Sequence, residues 1–433
     1  MTDAIATNET IVVVGGGISG ISAAIEAAEC GKQVILLEKN PSLGGRVSQL
    51  YKYFPKMCHP TCGLEINYRR TKANPNLQVY TMAEVNKIDG TSGDYTLDVT
   101  LKPRYVNENC TACGACADAV EGEYDDEFNY GMKKRKGAYL TSTMAYPQRY
   151  VIDPAMIGTD DAEKAKAACT VNAVDLDMQE ETISIKAGAV IWATGWQPFD
   201  ANKIQPYAYD RNDNVITNVE FERMLDPFGP TGGKILRKDG SEARNVAFIQ
   251  CAGSRDRNYL KHCSRICCMA TLKHTKLMRE CYGADENWKA SIYYIDIRAI
   301  DRIDDFHQEV KADPNVTFIK SKVASVTRDR DSGNPVLNGV NTEGYHRYAN
   351  EHDLVVLAVG MEPSVKADQL PANMIGDGSG FIQADAESEA GNGGIFAAGV
   401  AGEALDVNRA VQNATGSALR AIQVINRVSS TED

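Results

Sequence analysis

Residues 10–39, TIVVVGGGISGISAAIEAAECGKQVILLEK, limit the fold more than any other stretch of the chain. A β-branched run stops at Gly15, Gly17 and Gly20, spaced G-x-G-x-x-G; an alanine-rich helical stretch comes next, and a second apolar run ends at Glu38. The first glycine of such a turn bends it tightly, the second lets the backbone approach a pyrophosphate, and the third lets helix and strand pack closely. The helix N-terminus then faces the anion. Glu38 lies 18 residues beyond Gly20, where a carboxylate can accept hydrogen bonds from a ribose hydroxyl. The pattern predicts a strand–helix–strand unit that holds a dinucleotide.

The residues after Glu38 indicate which dinucleotide. LLEKNPSLGGR runs past Glu38 and Lys39 to Gly44, Gly45 and Arg46. That extension is typical of FAD sites in glutathione-reductase-like flavoproteins. The resemblance implies an FAD held by Gly15, Gly17, Gly20, Glu38, Lys39, Gly45, Arg46 and Val85. Two later segments read as returns to the same domain: VIWATGW (190–196), with Thr194 and Gly195, and GIFAAGV (394–400), with a helix expected after it from about Leu405 to Arg427. In such flavoproteins the last glycine is commonly succeeded by an Asp that holds the ribitol. Here Val400 succeeds Gly399, so the backbone is expected to take over that contact.

Between these segments lies ENCTACGACADAV (108–120), with Cys110, Cys113 and Cys116 at the C-x2-C-x2-C spacing of an iron–sulfur cube. The fourth position of that run is Val120. In two-cluster ferredoxins the fourth Cys of each run ligates the other cluster. The missing ligand is therefore expected at the end of a second run, and AEKAKAACTVNAVDL supplies Cys169. Counting back from Cys169 by the same spacing gives Ala165, Ala162 and Thr159, none of which ligates. One cluster keeps all four cysteines and the other has lost all four of its positions.

A second Rossmann-like unit is expected around VAFIQC (246–251) and YYIDIRA (293–299). Its first turn, QCAGSRDRNYLKHCSRICC, has no G-x-G-x-x-G; it carries Cys251, Cys263, Cys267 and Cys268. These four are expected to hold a second [4Fe–4S] cluster, single-electron entry replacing hydride entry from a nicotinamide. Cys267 and Cys268 are adjacent and cannot both point one way on a regular helix, so an irregular turn is expected.

GGGISGISAAIEAA, EKNPSLGGR, the ferredoxin insert leading into DEFNYG and YVID, IQCAGSRD with CSRICC, and IYYIDIRA together resemble the flavoprotein A subunits of heterodisulfide reductase across nearly all of the chain. The lost second insert cluster, and the lack of a ferredoxin run after residue 281, are similar to the shorter A subunits of the quinone-interacting membrane-bound oxidoreductase (Qmo) complex of sulfate reducers. This resemblance implies an FAD and iron–sulfur electron relay beside a homologous flavoprotein and a haem- and iron–sulfur-bearing membrane subunit, linking menaquinol to adenylylsulfate reductase. Two alternatives stand beside it. One is an A subunit of a soluble heterodisulfide-reductase-like complex, including an electron-bifurcating one. The other is a free-standing NAD(P)H-dependent disulfide oxidoreductase using Cys58 and Cys62 of KMCHPTCGLE as its redox pair.

The expected architecture is α/β, a glutathione-reductase-like flavoprotein with two Rossmann-like units and a ferredoxin-like insert. The flavin domain is expected over 1–103, 178–243 and 345–433, the insert over 104–177, and the second Rossmann-like unit over 244–344. A formal net charge of −12 argues against a nucleic-acid partner. The basic run KKRK (133–136) reads as a solvated loop, with a docking patch as the sharper alternative. MTDAIATNET lacks the basic start and apolar core of a signal peptide, and no apolar stretch reaches the ~18 residues of a membrane span. The expectation is a cytoplasmic chain that meets the inner face of a membrane only through partners. Twelve cysteines then read as ligands or redox groups rather than disulfides. Cys30 is expected to pack within the first helix, and Cys281 has no assigned role.

Overall fold

The computed structural model describes residues 5–299, 301–366, 369–370, 374, 376–383 and 393–429. The chain divides into two units, one of residues 1–48, 61–196 and 363–433, the other of 49–60 and 197–362.

The first unit is built on a five-stranded parallel sheet in the order Ile395–Ala397, Ala189–Trp192, Ile11–Val14, Val34–Glu38, Leu77–Thr81. Ile11 pairs with Val34 on one side and Ala189 on the other. All four residues of Ile11–Val14 are buried, as the short β-branched run requires of a central strand. A three-stranded antiparallel sheet (Ala83–Thr91, Asp94–Leu101 and Glu181–Ala187) packs Leu97, Val99 and Ile185 against Val12, Leu37 and Trp192 of the parallel sheet. Helix Ile18–Glu29 lies against helix Val407–Ser429, which begins two residues later than expected from the sequence.

The insert belongs to this unit. It contains two short antiparallel ribbons, Glu123–Asp125 with Lys134–Lys136 and Ala138–Tyr139 with Val151–Ile152, and helices Ala115–Asp118 and Asp160–Ala168. Three of the four residues of the basic run are ion-paired where they lie. Lys134 pairs with Asp125 at 2.6 Å, Arg135 with Asp153 at 2.9 Å and Glu127 at 3.0 Å, and Lys133 with Asp126 at 3.8 Å. Lys134–Lys136 is thus a strand paired with Glu123–Asp125, not the solvated loop expected from the sequence.

The second unit repeats the parallel pattern in the order Val215–Thr217, Leu354–Val359, Asn245–Ala252, Lys289–Tyr294, Val316–Lys320. An antiparallel meander of Ser325–Arg328, Pro335–Asn341 and His346–Glu351 completes it. The sequence boundaries at 243/244 and 344/345 differ from this division. Val215–Thr217 and Leu354–Val359, read from the sequence as flavin-domain segments, pair with each other, and Leu354–Val359 also pairs with Asn245–Ala252. Leu354–Val359 is apolar and buried throughout, so it is an inner strand of that sheet.

Candidate functional site

The turn after Ile11–Val14 has the close contacts that its glycines call for. A Cβ on Gly20 would lie 1.8 Å from the Gly15 carbonyl oxygen, and one on Gly15, at φ +108°, would lie 2.3 Å from that of Ala193. Gly17 differs: its Cβ would meet nothing nearer than the Gly45 Cα at 4.0 Å. Helix Ile18–Glu29 has no side-chain cap and no acidic residue in its first turn, which leaves its N-terminal N–H groups for an anion. The Gly44 N–H donates to the Gly16 carbonyl at 2.8 Å and ties the second glycine pair to the first turn.

Glu38 is buried at the end of its strand. Its carboxylate accepts from the Gly16 N–H at 2.6 Å and from the Asn40 backbone and side-chain N–H groups at 2.8 and 2.7 Å. Burial raises its pKa, and the hydrogen bonds from Asn40 and Gly16 oppose the rise. Oε1 takes both Asn40 bonds, whereas Oε2 takes the Gly16 bond and keeps a lone pair for a ribose hydroxyl. Lys39 beside it is exposed. Val85 lies in Ala83–Thr91 next to a register shift and packs on the core shared by the two sheets. Arg46 donates to the Trp196 carbonyl at 3.3 Å and to the Tyr130 hydroxyl at 2.9 Å, so it joins the glycine loop to the DEFNYG segment of the insert.

Thr194 and Gly195 come directly after the strand Ala189–Trp192 and Ala193; the Thr194 hydroxyl is buried with no partner among the described residues, and no atom lies within 4 Å of a Cβ on Gly195. At the other end, Gly399 has φ +61°, a Cβ there would lie 2.0 Å from Ser19 Oγ, and its N–H donates to Asn413 Oδ1 at 2.7 Å. Val400 is buried. Asn413, which no sequence motif singles out, thus fixes this turn from the next helix. An orphaned hydroxyl, open glycine faces and an uncapped helix N-terminus fit a dinucleotide bound in the first unit.

In the insert, Cys110, Cys113, Cys116 and Cys169 line one pocket together with Val106 and Tyr150. Ala112 at φ +56° and Gly114 at φ +89° bend the loop between the first thiols. The Ala112 N–H donates to Cys110 Sγ at 3.4 Å and the Ala173 N–H to Cys169 Sγ at 3.2 Å. Backbone donors of this kind favour thiolate sulfur in a cluster. Burial pushes the Cys116 thiol up to about 11, with the neighbouring Cys110 and Cys169 adding to the rise.

The positions of the other insert cluster are filled. Val120, Ala162 and Ala165 are at most 1% exposed and pack with Met156 in one apolar cluster, while Thr159 is exposed.

The second unit carries the other quartet. Cys251, at φ +56°, is in the last turn of its strand, and Cys267 and Cys268 open helix Ile266–Tyr282 behind Arg265 at φ +62°. The helix includes both adjacent cysteines, contrary to the irregular turn expected there, and the irregular backbone lies upstream. Cys267 Sγ donates to the Val359 carbonyl at 3.3 Å and Cys268 Sγ to that of Asp296 at 3.9 Å, so the two thiols diverge. Burial pushes them up to about 12 and 11, and Cys251 and Cys263 add to both shifts. Among the described residues no three or more His, Cys, Asp or Glu side chains converge tightly enough for a single metal ion. A cube has its four thiolates on four separate irons, which is a looser requirement. The donor chemistry fits an iron–sulfur cluster better than a lone ion.

Cys58 is exposed in the second unit and Cys62 exposed in helix Pro60–Ala73 of the first, while His59 stacks edge-on against Tyr51. Cys30 is exposed at the end of helix Ile18–Glu29 rather than packed as expected. Cys281 is also exposed and donates to the Gly233 carbonyl at 3.3 Å. A buried network that sequence patterns did not reveal lies on the cysteine helix. Glu222 takes Lys273 Nζ at 2.5 Å and His274 Nε2 at 2.6 Å on one oxygen, and the Tyr51 N–H at 2.8 Å on the other. Lys273 also donates to the Lys52 carbonyl at 2.9 Å. Two adjacent basic residues, Lys273 and His274, in the otherwise apolar or small run 266–275 were the available signal.

Comparison with known proteins agrees with this geometry. Residues 10–196 match the FAD dependent oxidoreductase family. The chain is similar to the iron–sulfur A subunit, second form, of the CoB–CoM heterodisulfide reductase of Methanopyrus kandleri, 36% identical over 421 residues, which is 95% of this chain and 63% of that protein. It is 38% identical over 376 residues to the corresponding protein of Methanocaldococcus jannaschii, 85% of this chain and 56% of that one. The chain therefore spans about three fifths of the length of these relatives. Among solved structures it resembles bacillithiol disulfide reductase of Bacillus cereus (TM-score 0.53, 13% identity, 97% of this chain and 99% of that one) and T. acidophilum thioredoxin reductase (TM-score 0.51, 13% identity, 98% and 100%). These likenesses show the α/β fold of FAD-dependent oxidoreductases, as expected from the sequence.

Proposed function

We propose, from the homology of this chain to the A subunits of heterodisulfide reductase, that it is the FAD and iron–sulfur electron relay of a heterodisulfide-reductase-like complex. Bound FAD would exchange electrons in pairs, and two [4Fe–4S] clusters would carry them singly. The observation that supports this reading most is the convergence of Cys110, Cys113, Cys116 and Cys169, distant in sequence, on one pocket. Gly15, Gly17, Gly20, Glu38 and Arg46 would hold the nucleotide; Cys251, Cys263, Cys267 and Cys268 would hold the second cluster. Its partners would be further iron–sulfur subunits of that complex.

The relatives are subunits of methanogen heterodisulfide reductases, which favours this assembly over the quinone-linked Qmo complex implied by the sequence resemblance. A menaquinol link, a membrane protein bearing haem, and adenylylsulfate reductase belong to that second reading. Among the described residues no helix is long and apolar enough to cross a membrane. Co-purification separates the two readings, since only the second brings a haem protein along.

The free-standing disulfide oxidoreductase is tested by NADH and NADPH. With cysteines in place of the pyrophosphate turn, the anaerobic chain is expected to show no saturable bleaching of its flavin by either nucleotide in stopped-flow absorbance. Stoichiometric bleaching at micromolar NADH would overturn the relay reading of the second unit.

A further inference from the structure

Asn40 decides which oxygen of Glu38 is left for a ligand. Glu38 ends a buried strand and is 5% exposed, so turning its carboxylate would break hydrogen bonds that little water is there to replace. Oε1 is filled from one residue, by the Asn40 backbone N–H at 2.8 Å and by Asn40 Nδ2 at 2.7 Å. Among the described residues Oε2 accepts one bond, from the Gly16 N–H at 2.6 Å, and Gly16 stands between Gly15 and Gly17 of the glycine turn. Asn40 is itself anchored. Its carbonyl accepts from the Met82 N–H at 3.1 Å, and Met82, at φ +59°, joins strands Leu77–Thr81 and Ala83–Thr91 with a left-handed backbone. Such a conformation is costly for a residue with a side chain and persists only where the surroundings impose it. The Met82 carbonyl accepts in turn from the Lys102 N–H at 2.9 Å. A line of bonds thus runs from the end of strand Asp94–Leu101 through Met82 and Asn40 to one carboxylate oxygen, and leaves the other beside the glycine turn.

We infer that Asn40 is a positioning residue for the adenosine ribose of FAD: by filling Oε1 it fixes Glu38 so that Oε2 meets a ribose hydroxyl. This role rests on the proposal that the first unit binds FAD through Glu38, since a carboxylate at the end of the second strand is the group that takes a ribose hydroxyl in such a unit. Asn40 acts through Glu38 rather than on the nucleotide. Burial raises the Glu38 pKa and the Asn40 bonds oppose the rise, so the contact that aims the carboxylate also favours its acceptor form. Asn40 is exposed, and water competes for its side-chain bond. Losing that donor is therefore expected to weaken FAD binding about fivefold rather than to abolish it.

The test is titration of FAD back into the anaerobically purified full chain after its flavin has been removed, followed by flavin fluorescence, for the wild type, Asn40→Ala and Asn40→Asp. A second ligand, an FAD analogue whose adenosine lacks both ribose hydroxyls, separates the aiming of Glu38 from a general effect on the fold. The expected result is FAD binding about fivefold weaker in Asn40→Ala. A loss at least as large is expected in Asn40→Asp, which keeps the shape of the side chain but puts a second carboxylate where the donor was. The analogue is expected to bind the wild type and Asn40→Ala equally, because it has no hydroxyl for Oε2 to meet. Unchanged FAD affinity in either variant, or equal weakening of FAD and analogue in Asn40→Ala, overturns the inference. A wild-type chain that takes up no FAD would instead defeat the flavin reading itself, so the two failures are distinguishable.

Discussion

Replacing Cys169 by serine is expected to remove the insert cluster as completely as replacing Cys113, lowering the iron content of the anaerobic protein by about four atoms while the flavin is kept. All four insert thiols face one pocket, so each stands in for a thiolate on the same cube, and a serine oxygen is a poor match for iron in a sulfur site. The second quartet lies in the other unit and its cluster signal is expected to remain. Val120→Cys is expected to restore nothing. Val120 is packed with Ala162, Ala165 and Met156 in an apolar core, so a thiol there meets methyl groups rather than iron. EPR of the reduced variants measures both effects. A normal insert signal in Cys169→Ser, lost instead in Asp118→Ala, would show that the fourth ligand is a carboxylate.

The second large effect concerns stability. Glu222→Ala is expected to destabilise the second unit by about 3–5 kcal/mol, because it leaves the Lys273 ammonium buried without its counter-charge and His274 without its hydrogen-bond partner. All three side chains belong to residues at most 4% exposed. Burial works to raise the Glu222 pKa, but the Lys273 ammonium and the His274 bond outweigh it and hold the carboxyl well below its usual range. The carboxylate therefore contributes stability above the ordinary Glu range, and this is lost as pH falls through the depressed value. In a unit of this size the loss corresponds to a Tm lower by roughly 10 °C. The double variant Glu222→Gln/Lys273→Met, which removes both charges, is expected to recover most of it. Differential scanning calorimetry at neutral pH decides, and a Glu222→Ala transition within about 1–2 °C of wild type would show that the network contributes little.

These two results bear on parts of the molecule that were unequally legible in the sequence. The glycine turn was readable because its spacing is a short local pattern; Gly15 and Gly20 meet the steric demand it implies, while Gly17 faces open space. The insert quartet was readable through spacing, since the positions of the lost cluster could be counted back from Cys169. The apolar filling of that lost site was not readable: small residues at cluster spacing do not reveal that Met156 packs among them. Domain boundaries were less legible because Val215–Thr217 and Leu354–Val359 pair across more than a hundred residues, and strand pairing at that range leaves no local pattern. Asn413 and Glu222 escaped notice for a related reason. Each acts on a residue brought to it by folding, and neither belongs to a motif.

The most direct test of the central claim, an FAD relay with two four-cysteine clusters, is the composition of the anaerobically purified protein. Iron, acid-labile sulfide and flavin analysis is expected to give about eight irons and eight sulfides per FAD, the content of two cubes. Full flavin with only about four irons would contradict the account by removing one cluster, the unusual Cys251–Cys268 turn being the first suspect.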